Sequence, residues 1–205
     1  MIDTVFTVGF DLDMTLIDSR PGVHATMTEL SGRTGVAIDA DAVVSRLGPP
    51  LEEELANWFP PEQVAAAADQ YRALYPEFAI APTPALPGAA ESFAAIRARG
   101  GRVMVVTAKY APSAALHLEH LGLIADVLVG WHWGPKKGEA LREHGATVYV
   151  GDHIADIHGA RAADAFALSV ATGPVSAADL AAAGADAVLA DLRGFPAWLD
   201  GYLAA

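Results

Sequence analysis

The stretch Val5-Phe6-Thr7-Val8-Gly9-Phe10 is apolar enough to be a buried strand, and it stops abruptly at Asp11-Leu12-Asp13, two carboxylates one residue apart. In an extended chain residues i and i+2 face the same side, so Asp11 and Asp13 are expected to converge on one point while Leu12 turns away. Two carboxylates on one point call for a cation there. Alone, the pair reads more readily as a solvated acidic turn, and the remainder of the chain reverses that reading.

A length of 205 residues suits one medium domain, or a core carrying a modest insertion, with room for a sizeable hydrophobic interior. Twenty-five acidic residues against thirteen basic ones give a formal charge of −12, which disfavours nucleic acid and anionic membrane as partners. An anionic small substrate is repelled too, so a phosphate-handling site here requires a metal ion or local basic residues. The absence of cysteine excludes disulfides, thiolate zinc sites and a cysteine nucleophile. No basic segment precedes a long apolar run around Asp3, so no leader is expected, and no apolar run of about 18 residues suggests a membrane span. A soluble cytoplasmic protein is the expectation.

From Pro21 to Tyr75 the periodicity is helical: Val23, Met27 and Leu30, then Leu51, Leu55 and Trp58, then Val64, Ala68, Tyr71 and Tyr75, with a short segment at Ala40 to Arg46. The prolines of Ala81-Pro82-Thr83-Pro84-Ala85-Leu86-Pro87-Gly88 break any helix. Strand and helix then alternate. Helices are expected around Phe93 and Ile96, from Pro112 to Leu121, from Gly138 to His144 and from Ile154; strands at Val103–Val106, Val127–Val129, Val148–Val150 and Phe166–Val170. Successive strand–helix–strand units predict an α/β fold, a doubly wound parallel sheet of Rossmann-like type. The N-terminal strand belongs to it, which makes the helical stretch an insertion. The expected division is residues 1–17 and 85–205 for the core and residues 18–84 for an all-helical cap.

In such a sheet, ligands bind beyond the carboxyl ends of the strands. Asp11 and Asp13, Thr107, Lys136 or Lys137, and Asp152 all fall on that edge, and Asp156 follows Asp152 by four residues, one helical turn. Clustered carboxylates without cysteine suit a hard ion such as Mg²⁺. A hydroxyl and an ammonium suit the oxygens of a phosphoryl group.

These positions give the chain its resemblance to the haloacid dehalogenase superfamily, in the phosphatase branch with a helical cap, the phosphoglycolate phosphatase-like enzymes. Asp11-Leu12-Asp13-Met14-Thr15-Leu16-Ile17-Asp18-Ser19 resembles the first motif, Thr107 the second, Lys137 within Lys137-Gly138-Glu139-Ala140-Leu141 the third, and Gly151-Asp152-His153-Ile154-Ala155-Asp156 the fourth; Leu86-Pro87-Gly88 fits the branch. The resemblance implies a Mg²⁺-dependent phosphatase of a small phosphorylated metabolite. In it Asp11, ionised at neutral pH, attacks phosphorus, and Asp13, its pKa raised relative to Asp11, protonates the leaving alkoxide. Mg²⁺ is held by Asp11, the backbone carbonyl of Asp13, Asp152 and, through water, Asp156. Thr107, Ala108 and Lys137 bind the phosphoryl oxygens. Of the two adjacent lysines, Lys137 matches the motif and Lys136 is expected to be solvated. Met14 stands where the family commonly has glycine, Ala108 where asparagine is frequent, and His153 where a small hydroxyl residue is usual.

The same chemistry leaves a phosphomutase open, while Asp13 and Asp152 weaken a carbon–halogen hydrolase reading. A receiver-type signalling domain shares the acidic cluster, Thr and Lys but is shorter and lacks a helical insertion. His117, His120, His153 and His158 are expected at the surface or in caps rather than on zinc. Trp131-His132-Trp133 reads as a packed strand end, with pocket lining as the alternative. Gly48-Pro49-Pro50 and Tyr71-Arg72 either face substrate or serve as helix punctuation and core.

Overall fold

The computed structural model describes residues 6–205; Val5 and the segment around Asp3 lie outside them. Among the described residues, one six-stranded sheet forms the centre of the molecule, with strand order β3-β2-β1-β4-β5-β6. Its strands are β1 (Thr7–Phe10), β2 (Arg102–Val106), β3 (Val127–Val129), β4 (Ala146–Gly151), β5 (Phe166–Val170) and β6 (Ala187–Leu189). Every pairing is parallel. The chain builds outward from β1 to β3, then returns to the other side of β1, so the order reverses between β1 and β4. That reversal opens a crevice at the carboxyl ends of these strands, the place where such sheets bind ligands.

The helices are α1 (Arg20–Thr34), α2 (Ala40–Val44), α3 (Leu51–Leu55), α4 (Pro61–Phe78), α5 (Ala89–Ala98), α6 (Ala111–His120), α7 (Lys137–Glu143), α8 (Ile154–Ala162), α9 (Ala177–Ala182) and α10 (Phe195–Ala204). Strand alternation divides the core between the two faces of the sheet. Val103 and Val105 of β2 pack with Phe10, Phe93, Ile96 and Phe195, whereas Met104 and Val106 pack with Tyr149, Leu141, Ile157 and Leu180. Both faces are thus covered, as the near-continuous apolar strands require.

The helices α1 to α4, between β1 and β2, enclose an apolar centre of their own, in which Val23, Met27 and Leu30 of α1 meet Leu55 of α3 and Ala68, Tyr71 and Tyr75 of α4. Where the chain leaves the sheet and where it returns, the two segments pair. Asp18 N–H donates to the Pro84 carbonyl at 3.0 Å and Leu86 N–H to the Leu16 carbonyl at 2.9 Å, and Ile17 bridges antiparallel to Ala85.

Beyond the alternation read from the sequence, the sheet continues through α9, β6 and α10. β6 has three half-buried residues at the sheet edge, too short a run to show a period.

Candidate active site

The carboxyl ends of β1 and β4 carry the acidic cluster. Asp11 directly follows β1 and is locked to β4, its N–H donating to the Val150 carbonyl at 2.8 Å. Asp152 follows β4, and Asp156 lies in the first turn of α8. The helix begins with His153 as N-cap, its Nδ1 accepting from Ala155 N–H at 3.1 Å while Asp156 Oδ2 accepts from His153 N–H at 3.1 Å. Asp152 therefore lies ahead of the helix. It reaches Asp156 through the strand-to-helix turn and not along one helical face.

Lys137 stands at the hub. Its Nζ is 2.6 Å from Asp11, 2.7 Å from Asp156 and 2.9 Å from the hydroxyl of Tyr149, which in turn donates to the Val106 carbonyl at 2.6 Å. Burial alone would lower its pKa, but attraction to Asp11 and Asp156 overrides this and holds the ammonium well above its ordinary range. Lys136, one residue earlier in a 3₁₀ turn, is exposed.

Asp11 and Asp13 are held by different lysines. The Asp13 carboxylate forms an ion pair with Lys109 at 2.9 Å, a residue that the sequence reading passed over although the chain has only three lysines. This pair inverts the expected order of acidities. Burial pushes Asp11 up to about 7, opposed by Lys137 and helped by the charges of Asp156 and Asp13. Burial acts most strongly on Asp13 in the same direction, but the charge and hydrogen bond of Lys109, with Ser19 and His117, together outweigh it and hold the carboxyl below its usual value. In the protein alone, Asp13 is the stronger acid, because it has a cation to itself while Asp11 shares Lys137.

Asp152 accepts from the Thr15 hydroxyl at 3.0 Å, and burial, with the charges of Asp156 and Asp11, holds its carboxyl well above the usual range. Gly173 crosses just behind it. A Cβ there would lie 1.7 Å from Asp152 Oδ2, so any side chain at 173 displaces this carboxylate. Met14, where the family commonly has glycine, is buried with φ +59°, a left-handed conformation that costs a non-glycine residue about 1–2 kcal/mol. Its N–H donates to the Ile17 carbonyl at 2.8 Å and its carbonyl accepts from the Thr172 hydroxyl at 2.5 Å. These two bonds fix the strained turn in place.

Carboxylate oxygens of Asp11, Asp152 and Asp156 lie within 4.8 Å of one another, all three residues buried. Three acids against the single ammonium of Lys137 leave excess negative charge, which adds to burial in raising Asp11 and Asp152. An all-oxygen donor set with this excess fits a hard divalent cation. The Asp13 side chain, turned to Lys109, is outside this group.

Thr107 follows β2, its N–H donating to the Val129 carbonyl at 2.9 Å and its hydroxyl accepting from Lys109 N–H at 3.1 Å. Ala108, Lys109 and Asp13 line a cleft of about 330 Å³ whose other wall comes from α1 to α4 and the loops between them. Gly48-Pro49-Pro50 and Tyr71-Arg72 both lie on that wall. Trp131 and Trp133 line it too, so the tryptophan segment is a cleft rim and not a packed strand end. Trp131 is 57% exposed with φ +57°; it has left the strand before it could pack. His117 is likewise no surface residue. It is buried against α4, its Nε2 2.8 Å from the Tyr75 hydroxyl, and burial, with the nearby Lys109 charge, lowers its pKa to about 4.

The haloacid dehalogenase-like hydrolase profile matches residues 8–161. The chain belongs to the haloacid dehalogenase-like hydrolases. A haloacid dehalogenase-like family hydrolase from Streptococcus pneumoniae superposes with a TM-score of 0.81 at 25% identity, covering 97% of this chain and 98% of that one. A structure described as a predicted phosphatase from Clostridium acetobutylicum gives 0.82 at 22% identity, over 96% and 99% of the two chains. A curated relative, the tyrosine-protein kinase PtkA of Mycobacterium tuberculosis, is 31% identical over 115 residues, 56% of this chain. The matched stretch spans only 40% of that relative's length.

Proposed function

We propose that this hydrolase is a Mg²⁺-dependent phosphatase of a small phosphorylated metabolite, acting through phosphorylation of Asp11. One observation carries the reading: three buried carboxylates and a buried lysine meet at the carboxyl ends of β1 and β4, while Asp13, two residues from Asp11, opens onto the cleft. A leaving group lying in that cleft would have Asp13 as its nearest acid.

Asp11 is the nucleophile, forming a bond to phosphorus as the ester oxygen departs. Asp13 must enter this step protonated to give that oxygen its proton, and it regains a proton from the water that cleaves the acyl phosphate. Lys109, by keeping Asp13 ionised, favours the proton-accepting half of this cycle. Thr107, the Ala108 amide and Lys137 bind the phosphoryl oxygens, where fixed donors and charge stabilise the transferring group. Asp11, Asp152, Asp156 and the Asp13 carbonyl would hold the cation, which supplies charge neutralisation for the phosphoryl group and the carboxylates around it. Residues 18–84 act as the cap that closes over the substrate, the core comprising 1–17 and 85–205. No helix among the described residues is long and apolar enough to cross a membrane, and we place the enzyme in the cytoplasm.

A second reading, transfer of the phosphoryl group to a hydroxyl instead of water, has in its favour the name of the curated relative, a tyrosine-protein kinase. Phosphate release from a panel of phosphomonoesters, with Mg²⁺ and with a chelator, tests the first reading. Release that needs Mg²⁺ supports it. Undiminished release in chelator removes the metal from the reading, and label passing from ATP to a tyrosine peptide without phosphate release favours the second.

A further inference from the structure

The cleft that Asp13 faces has an unusual lining for a site that handles anions. Five aromatic side chains border it: Tyr71 and Tyr75 from α4, and Tyr110, Trp131 and Trp133 from the core. The charged groups on its wall are already matched. Asp13 pairs with Lys109 at 2.9 Å, Glu54 with Arg46 at 2.7 Å, and Arg72 with Glu52 and, at 3.4 Å, with Asp69. Of the lining residues Asp13, Glu52, Glu54, Arg72 and Lys109, the acids outnumber the bases. A second anionic group on a substrate would find each of these cations already in an ion pair, with only the buried Nε of Arg72 unpartnered, and would add to the excess negative charge.

The rim is built to present rings. Trp131 and Tyr110 stack at 5.0 Å with an interplanar angle of 30°, and the Arg72 guanidinium lies 5.7 and 5.8 Å from the two ring centres. The Trp131 loop is tied to the loop after β2, Trp131 N–H donating to the Lys109 carbonyl and His132 N–H to the Thr107 carbonyl, both at 3.0 Å. An indole that stays exposed on a left-handed residue carries backbone strain of about 1–3 kcal/mol, the kind of outlier that points to function. From the helical side, Gly48 with φ +143° brings its loop against the same rim, where a Cβ would stand 3.2 Å from Trp133 and 3.3 Å from His153. Helices and sheet thus enclose an aromatic slot directly beyond Asp13. A volume of about 330 Å³ is at the small end of ligand pockets.

We propose that the alcohol esterified to phosphate in the substrate carries an uncharged aromatic group that this slot holds, and that two-anion substrates such as phosphoglycolate are disfavoured. This rests on the phosphatase reading and extends it to substrate class. A small molecule is the occupant, its phosphate at Asp11 and its ring between Trp131 and Tyr71.

Leaving-group acidity must not decide the test, so the substrates are esters of primary alcohols: ethyl phosphate, 2-phenylethyl phosphate and 2-phosphoglycolate, compared by kcat/KM with Mg²⁺. Burying the phenyl group predicts about a 10- to 100-fold preference for the phenylethyl ester over ethyl phosphate, with phosphoglycolate no better than ethyl phosphate. Calorimetric binding of 2-phenylethylphosphonate and ethylphosphonate, which are not hydrolysed, should show the same preference, and Trp131→Ala should shrink it in both measurements. Equal handling of the two esters, or a preference for phosphoglycolate, overturns the inference and leaves the phosphatase reading standing. Selective phosphonate binding with no turnover of any ester sinks the phosphatase reading while the slot survives, and neither binding nor turnover overturns both.

Discussion

Lys109 reaches from the loop after β2 to pair with the Asp13 carboxylate at 2.9 Å, joining two residues 96 positions apart on neighbouring strand ends. The pair is mostly buried, with side-chain exposures of 11% and 19%, so removing one partner strands the other. Lys109→Met should destabilise the protein, and Asp13→Asn in the same chain should recover part of the loss. A double-mutant cycle on denaturant midpoints should give a coupling of about 1–3 kcal/mol. Additive effects would mean that the pair contributes nothing as a pair.

Lys137 and Lys136 should behave oppositely. Lys137→Ala removes the ammonium that holds Asp11 and Asp156, leaving the carboxylates uncompensated at a cost of about 3–5 kcal/mol. Added Mg²⁺ should restore stability, giving a larger rise in Tm in this variant than in the wild type. Lys136→Ala, at an exposed position, should stay within about 0.5 kcal/mol of wild type. Thermal melts with and without Mg²⁺ check both, and the reverse ranking would transfer the role to Lys136.

His117 predicts a pH dependence of stability. Its pKa falls from 6.5 to about 4 on burial, so between these values the unfolded chain binds a proton that the folded protein does not. Stability from this group therefore rises with pH across that window and is lost as the medium acidifies from 6.5 toward 4. His117→Asn removes the titration, so the stability advantage of wild type over the variant should narrow as pH falls. Urea midpoints for both proteins over this range measure it; a gap that stays constant or widens would mean that His117 is not buried neutral.

The sheet was legible wherever a valine-rich run stood between helical stretches, as at Val103–Val106 after Gly100-Gly101 and at Val127–Val129. The three-residue β6 was not, for lack of a period. Within the site, Asp11 and Asp152 could be placed because each follows a recognisable strand, which fixes its edge of the sheet, and Asp156 by its short spacing from Asp152. What escaped were groups defined by partners far along the chain. Thr15 meets Asp152 across 137 positions, Gly173 matters only because it crosses against the Asp152 carboxylate, and Tyr149 looks like an ordinary strand aromatic until its hydroxyl is seen on Lys137. Lys109 stood two residues beyond Thr107 and was within reach of the same argument. Without it, the relative acidities of Asp11 and Asp13 came out inverted.

The most direct test of phosphoryl transfer to Asp11 is the mass of the protein, quenched in acid during turnover of an aryl phosphate with Mg²⁺. Wild type should carry one phosphoryl group on the peptide containing Asp11, while Asp11→Asn, folded like wild type, should carry none and release no phosphate. Phosphate release by Asp11→Asn at the wild-type rate, or a phosphoryl group found on another residue, would contradict Asp11 as the nucleophile.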